Sequence, residues 1–221
     1  MSRPRRNQHR GPSPLAVLGI VLLVALLAGA GWGIWQYWGS PALARQAADD
    51  AVAELRGRWK SSPEPPPLVP NPAEGEAQWL IRIPALGEAW EWPVAAGIGS
   101  ESLDDAVGWY PGTSQPGQLC NFAVTGQCIT GAQPFRELRT LEVGDVVVIE
   151  GADAIHTYTL SSAPGDLTVS EGENWVLEPV PGQDDAEPTQ AFITLTTCED
   201  LYPTPDRSVG FGVLTGTEPK Q

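Results

Sequence analysis

The chain has 221 residues, enough for one domain of ordinary size with additional segments. Its net charge of −14 is unevenly placed: all 27 acidic residues lie beyond residue 40, while Arg3, Arg5, Arg6 and Arg10 precede them. So acidic a body argues against nucleic-acid binding, which needs a basic face to displace counterions.

After the basic segment 1–13 comes PLAVLGIVLLVALLAGAGWGIWQYW, uncharged and mostly apolar from Pro14 to Trp38. Its length suits one helical crossing of a bilayer core. Trp32, Trp35, Tyr37 and Trp38 cluster at its far end, where amphipathic rings favour the membrane–water interface. Arginines on the near side predict a cytoplasmic N-terminus, a single-pass membrane topology and an extracellular body. A cleaved signal peptide is the competing expectation, but the apolar run is longer than a signal core and ends in aromatic anchors. An exterior location permits disulfides. Cys120, Cys128 and Cys198 cannot all pair within one chain.

Residues 39–60, rich in Ala, Val and Leu at helical spacing, predict a short juxtamembrane helix that lifts the following part off the bilayer. Residues 61–77 hold SSPEPPPLVPNP, whose prolines lack amide donors and fix φ, so neither a helix nor a central strand forms there. A stiff extended spacer and a disordered linker both fit. From residue 78 to 217 short β-type runs replace helical spacing: QWLIRIPAL, CNFAVTG, DVVVIEG, HTYTLSS, AFITLTT and SVGFGVL, punctuated by turn residues. ESLDDAVG and PFRELRTL are candidate helical turns. Strands of this kind over one domain predict an all-β barrel or sandwich.

Near the C-terminus, FITLTTCEDLYPTPDR places a thiol at the end of an apolar strand, with an arginine downstream. Together with IRIPALGEAWEWPVAAG, GWYPGTSQPGQLCNFAVTG and PFRELRTLEVGDVVVIEG, in this order from about Trp79 to Leu214, it resembles the sortases, especially the class E group of actinobacteria. The resemblance implies an eight-stranded β-barrel and a cysteine transpeptidase that needs no cofactor or metal. A sortase-like thiolate attacks the Thr–Gly bond of an LPxTG- or LAxTG-type sorting signal. An amine acceptor of the cell wall or a pilin then resolves the thioester. On this resemblance Cys198 matches the nucleophile and Arg207 the arginine that steadies a substrate carbonyl or oxyanion. Covalent catalysis divides one hard step into two, and a guanidinium offers fixed donors to developing charge.

The family's TGHR is Thr125-Gly126-Gln127-Cys128 here, so Gln127 occupies the histidine place. An amide side chain exchanges no proton near neutral pH. A thiol of pKa about 8.5 is only a few per cent thiolate at pH 7. Losing a placed acid–base group costs roughly 10²–10⁴-fold. Glu199 and Asp200, directly after the thiol, disfavour thiolate further. His9 precedes the apolar run and His156 lies on a separate strand, read as a solvent-side histidine, so neither is expected to substitute. Glu199 as a local base is disfavoured because adjacent strand residues face opposite ways; a solvated loop carboxylate is the expectation.

Each site residue also has a plainer role. Cys198 would be a small buried apolar residue, and Arg207 a surface partner of Asp206 or Glu199. Thr197, Cys128 and Trp175 are further groove candidates, with Trp175 equally suited to packing beneath a long loop. The acidic run around that loop lacks a regular Ca²⁺-ligand pattern, so solvated charge is expected there. The three cysteines are expected as independent thiols; Cys128 is also open to pairing with Cys120 or to a redox-sensitive bridge with Cys198. An extended run from Cys120 to Cys128 far exceeds disulfide Cα separations unless the chain turns back. The expected function is a membrane-anchored transpeptidase of impaired activity. The alternatives are a non-catalytic homologue that binds a sorting signal or a partner sortase, and a plain extracellular interaction domain.

Overall fold

The computed structural model describes residues 13–34, 40–61, 72–129, 131–183, 185–199 and 204–220. The chain divides into two compact units, the first ending at Ser40.

In the first unit, helix α1 (Pro14–Ile34) covers most of the apolar run. Its described leucines and valines are exposed. Among the described residues no helix is long and apolar enough to cross a membrane, so the expected transmembrane helix over 14–38 is not borne out there. Residues 1–12 and 35–38, with the arginines, His9 and three of the four aromatic anchors, lie outside the described residues.

The second unit opens with the helix α2, which spans Ser40–Ser61. Ala48, Val52 and Leu55 form a buried stripe at helical spacing, and they pack against Trp79 and Leu80 of the first strand and the residues around them. Charge reinforces the seat. The Arg45 guanidinium lies 4.1 Å from the centre of the Trp92 ring, and Arg56 reaches Glu91 at 2.6 Å and Glu150 at 3.4 Å. Residues 62–71 of the Pro-rich spacer lie outside the described residues. Its end, 72–76, is fastened to the body: Gly75 N–H donates to the Ala96 carbonyl at 2.8 Å, and Glu74 Oε1 accepts from Gly99 N–H at 3.1 Å.

Among the described residues nine strands follow: β1 (Ala77–Arg82), β2 (Glu91–Ala96), β3 (Val107–Trp109), β4 (Cys120–Thr125), β5 (Val146–Glu150), β6 (Ala154–Ser162), β7 (Thr168–Ser170), β8 (Ala191–Cys198) and β9 (Asp206–Pro219). Their order is β6-β5-β1-β2-β3-β4-β8-β9, closed by β6 pairing with β9, so eight strands make a barrel and β7 is added along the start of β9. Closure removes the free edges an open sheet would expose. Most ladders are antiparallel; β2–β3 and β4–β8 are parallel. The barrel interior holds Trp79, edge-on to both Trp109 and Phe122 at 5.5 Å, with Ile81, Ile149, Tyr158, Ile193 and Leu195 fully enclosed.

Six strands fall where alternating apolar runs predict them. β2 is not among them because Pro93 interrupts EWPVAA. In the structure Pro93 faces Leu80 of β1, and the β3 ladder starts only at Val94, so that side asks no amide of residue 93. ESLDDAVG supplies the short helix α3 (Ser100–Leu103), and PFRELRTL a single 3₁₀ turn at Leu138–Thr140.

Candidate active site

The parallel ladder of β4 and β8 builds the site. Its register pairs Cys120 with Ala191 and runs to Thr125 with Thr196, so both strands end at the same rim of the barrel. Beyond those ends the chain places Gly126, Gln127 and Cys128 on one side and Thr197 and Cys198 on the other. β9 runs back antiparallel to β8 and sets Arg207 directly across from Cys198.

Local contacts fix this rim. Gly126 N–H donates to the Thr196 carbonyl at 3.2 Å, and the Gly126 carbonyl accepts from Thr197 Oγ1 at 2.9 Å. Thr197 is fully buried, so it positions the rim and does not line it. Glycine is required at 126 because a Cβ there would lie 2.6 Å from Phe135 Cγ. Phe135 stacks on Trp90 with ring centres 6.2 Å apart, and its N–H donates to the Gln127 carbonyl at 3.1 Å. The backbone carrying Gln127 is therefore clamped from below.

A groove of about 330 Å³ opens over these residues, lined by Gln127, Cys198 and Arg207 together with Ile98, Leu103, Tyr110, Thr125, Ile129, Glu171 and Thr204. The Tyr110 hydroxyl is 3.1 Å from Thr196 Oγ1, tying that wall to β8. Arg207 is held in place rather than loose. Its Nη1 donates to the Thr204 carbonyl at 2.9 Å and to the Asp206 carbonyl at 3.1 Å, and its Nη2 faces Glu171 Oε1 at 3.3 Å. Its plain partners are thus the Asp206 backbone and Glu171; Glu199 pairs elsewhere.

Cys198 is joined to Cys128 by a disulfide, with Cα atoms 6.0 Å apart across a sequence separation of 70. The expectation of three independent thiols is overturned, because the rim brings two of them within bonding distance. Cys120, at the opposite end of β4, stays a free thiol. The Glu199 carboxylate is only partly solvated. It forms an ion pair with Arg139 at 2.8 Å and accepts from the Ser208 hydroxyl, so it is turned away from acting as a base at Cys198. Asp200 lies outside the described residues.

Trp175 occupies a 3₁₀ turn (Asn174–Leu177) ahead of β8. Its ring packs on Phe211, 5.9 Å between centres, in a small cluster with Val169, Val176 and Val209, and it is not among the groove residues. Asn121, fully buried and passed over in the sequence, ties this loop down. Its Nδ2 donates to the Val176 carbonyl at 3.0 Å, and its Oδ1 accepts from Thr194 Oγ1 at 2.8 Å. His156 sits on β6, half-buried against Gly117, with Nδ1 3.1 Å from Thr217 Oγ1. Burial lowers its pKa, and Asp153 opposes that shift. It does not line the groove. Among the described residues no group of His, Cys, Asp and Glu is arranged to hold a metal.

The family model described as the sortase domain matches residues 81–215. Sortase SrtE1 of Streptomyces coelicolor is 31% identical over 194 residues, covering 84% of this chain and 53% of that protein; the chain therefore spans about half the length of this curated relative. The structure of sortase E from Streptomyces avermitilis superposes with a TM-score of 0.60 at 32% identity, covering 67% of this chain and 93% of that one. Sortase E1 of Streptomyces coelicolor, solved with a tripeptide in its active site, gives 0.58 at 32% identity over 66% of this chain and 91% of that one. On the family match and these class E likenesses, the chain belongs to the sortase family, as a member of its class E group.

Proposed function

We propose that this chain is a membrane-anchored, sortase-like cysteine transpeptidase for LPxTG- or LAxTG-type sorting signals, with turnover impaired by Gln127 in the place of the family's histidine. The observation that carries this reading is the register pairing of Cys198 with Arg207 at the mouth of the groove. In the reduced protein the Cys198 thiolate attacks the Thr carbonyl of the signal. The guanidinium of Arg207 stabilises the developing oxyanion, and the Gly amine leaves with a proton taken from water as the C–N bond breaks and the thioester forms. An amine acceptor of the cell wall or a pilin then attacks the thioester and frees Cys198. The tripeptide in the active site of the Streptomyces coelicolor relative supports a peptide occupant for the equivalent groove.

A second reading is favoured by two observations at the same rim. Gln127 cannot relay a proton, and Cys198 is bonded to Cys128. A protein of this kind binds a sorting signal or a partner sortase without turnover. The two readings separate when the reduced protein is given LPxTG and LAxTG peptides with hydroxylamine present. Transpeptidation predicts a thioester on Cys198 and a hydroxamate product, both lost in Cys198→Ala. Peptide binding that saturates with no acylated Cys198 establishes the second.

The anchor belongs to the same reading. At about 1.5 Å per residue, a segment of the length of Pro14–Trp38 would suffice as a helix for the roughly 30 Å of a bilayer core, and the arginines that precede it in the sequence favour a cytoplasmic N-terminus. Expressed with residues 1–38, the protein should sediment with membranes and resist carbonate extraction. Recovery of that full chain in the soluble fraction would remove the anchor from the proposal.

A further inference from the structure

We propose that the Cys128–Cys198 disulfide is a redox gate on the groove, opened by thiol–disulfide exchange with a dithiol reductant; this rests on Cys198 being the nucleophile of the proposed transpeptidase. The bridge uses the one sulfur the chemistry needs, so the oxidised protein holds no thiol at the reaction centre. It is also not required to join the strands. β4 and β8 already share a six-residue parallel register, extended by the Gly126–Thr196 and Thr197–Gly126 hydrogen bonds. A bridge at the end of a ladder that is already paired controls chemistry more than architecture.

The two sulfurs differ in access. Cys128 is 7% exposed, whereas Cys198 is partly exposed and lines the groove. An incoming thiolate therefore attacks Cys198 Sγ. The bond to Cys128 breaks, and its electron pair goes to Cys128 Sγ, which takes up a proton. The reductant's second thiol then attacks the reductant sulfur of the mixed disulfide, closing a new disulfide there and expelling Cys198 as thiolate. In total the dithiol loses two electrons and two protons, and the protein disulfide becomes two thiols. Arg207, across the ladder from Cys198, favours this leaving thiolate electrostatically. The Glu199 carboxylate would oppose it, but its ion pair with Arg139 and its bond from Ser208 occupy that charge.

The experiment uses the full chain, alkylated with iodoacetamide before and after exposure to graded dithiothreitol, with each cysteine read by peptide mass spectrometry. Without dithiothreitol, labelling is expected at Cys120 and lost at Cys128 and Cys198. Reduction should expose Cys198 while near-UV circular dichroism stays native. In Cys128→Ser, Cys198 should label without reductant. Labelling of Cys198 in the untreated wild type overturns the gate, and so does failure of Cys198 to label in a folded Cys128→Ser protein. Loss of the native spectrum on reduction overturns it as well, by making the bridge structural. If Cys198 labels as expected but never carries an acyl group from the peptides, the gate stands and the transpeptidase reading fails.

Discussion

Gln127→His in the reduced protein is expected to raise acyl-enzyme formation roughly 10²–10⁴-fold, the contribution of a placed general acid–base group. The backbone that would carry the imidazole is already fixed. Phe135 N–H holds the Gln127 carbonyl, and the Phe135 ring fills the space beneath Gly126. Gln127 lines the same groove as Cys198, so a side chain of similar reach is presented to the same volume. An imidazole of pKa near 6.5 can take the thiol proton at neutral pH and return it to the leaving amine, whereas an amide can do neither. The measurement is the rate of hydroxamate release against pH. The variant should show a bell-shaped profile, where the parent rate only rises with thiol ionisation. A gain under about tenfold, with peptide affinity unchanged, would mean that a missing proton relay is not what limits this site.

Arg207→Lys, placed in the Gln127→His background where turnover is measurable, should lower the acylation rate by about 10²–10³-fold, the usual loss on removing one oxyanion donor. Two backbone carbonyls, of Thr204 and Asp206, hold one end of the guanidinium, leaving its other nitrogens directed at the groove and at Glu171. Glu171 is 67% exposed, so this contact has the small worth of a surface ion pair and yields readily to a substrate carbonyl. Lysine keeps the charge but has no planar fork that can satisfy the two carbonyls and the substrate together. The loss should fall on the rate of acylation more than on peptide affinity, and the melting temperature should stay close to that of the parent. An equal loss in affinity would recast Arg207 as a binding residue.

Much of the barrel is visible in the one-dimensional pattern because its strands bury one face. In AFITLTTC the residues that enter the barrel, Ile193 and Leu195, alternate with positions that meet neighbouring structure, and the strand appears where predicted. β2 carries no unbroken run because Pro93 ordinarily marks a break, and its tolerance depends on where the β3 ladder starts, a tertiary fact. Three-residue strands such as β3 and β7 carry too little pattern to be seen at all. α2 was visible as a helix, but not its seat on the barrel. Its stripe of Ala48, Val52 and Leu55 looks the same whether it faces a barrel or a partner chain.

For the site, the positions of Cys198, Arg207 and Gln127 were legible from short motifs, and the structure gathers all three around one groove. The bridge was not decidable, since pairing residues 128 and 198 depends on β4 and β8 being parallel neighbours. Trp175 shows the opposite failure. A large aromatic in a long loop looks equally like a groove wall or a packing residue until Phe211 is seen beneath it. Glu171 left no signal in the sequence, because nothing local distinguishes a carboxylate facing Arg207 from one facing water. Asn121 had none either, its importance coming from the Val176 carbonyl and Thr194 hydroxyl it satisfies in the dry interior.

The parallel pairing of β4 with β8 also has a consequence for how the protein comes into being. Parallel neighbours cannot be joined by a tight turn, and here β5, β6 and β7 intervene between them. Pairing so distant in the chain costs loop entropy before any contact repays it, which makes such ladders slow to form. A nascent chain that has emitted everything up to β7 still has only one side of the groove. The groove is therefore completed late, with the last strands, and a partly made polypeptide lacks one of its walls.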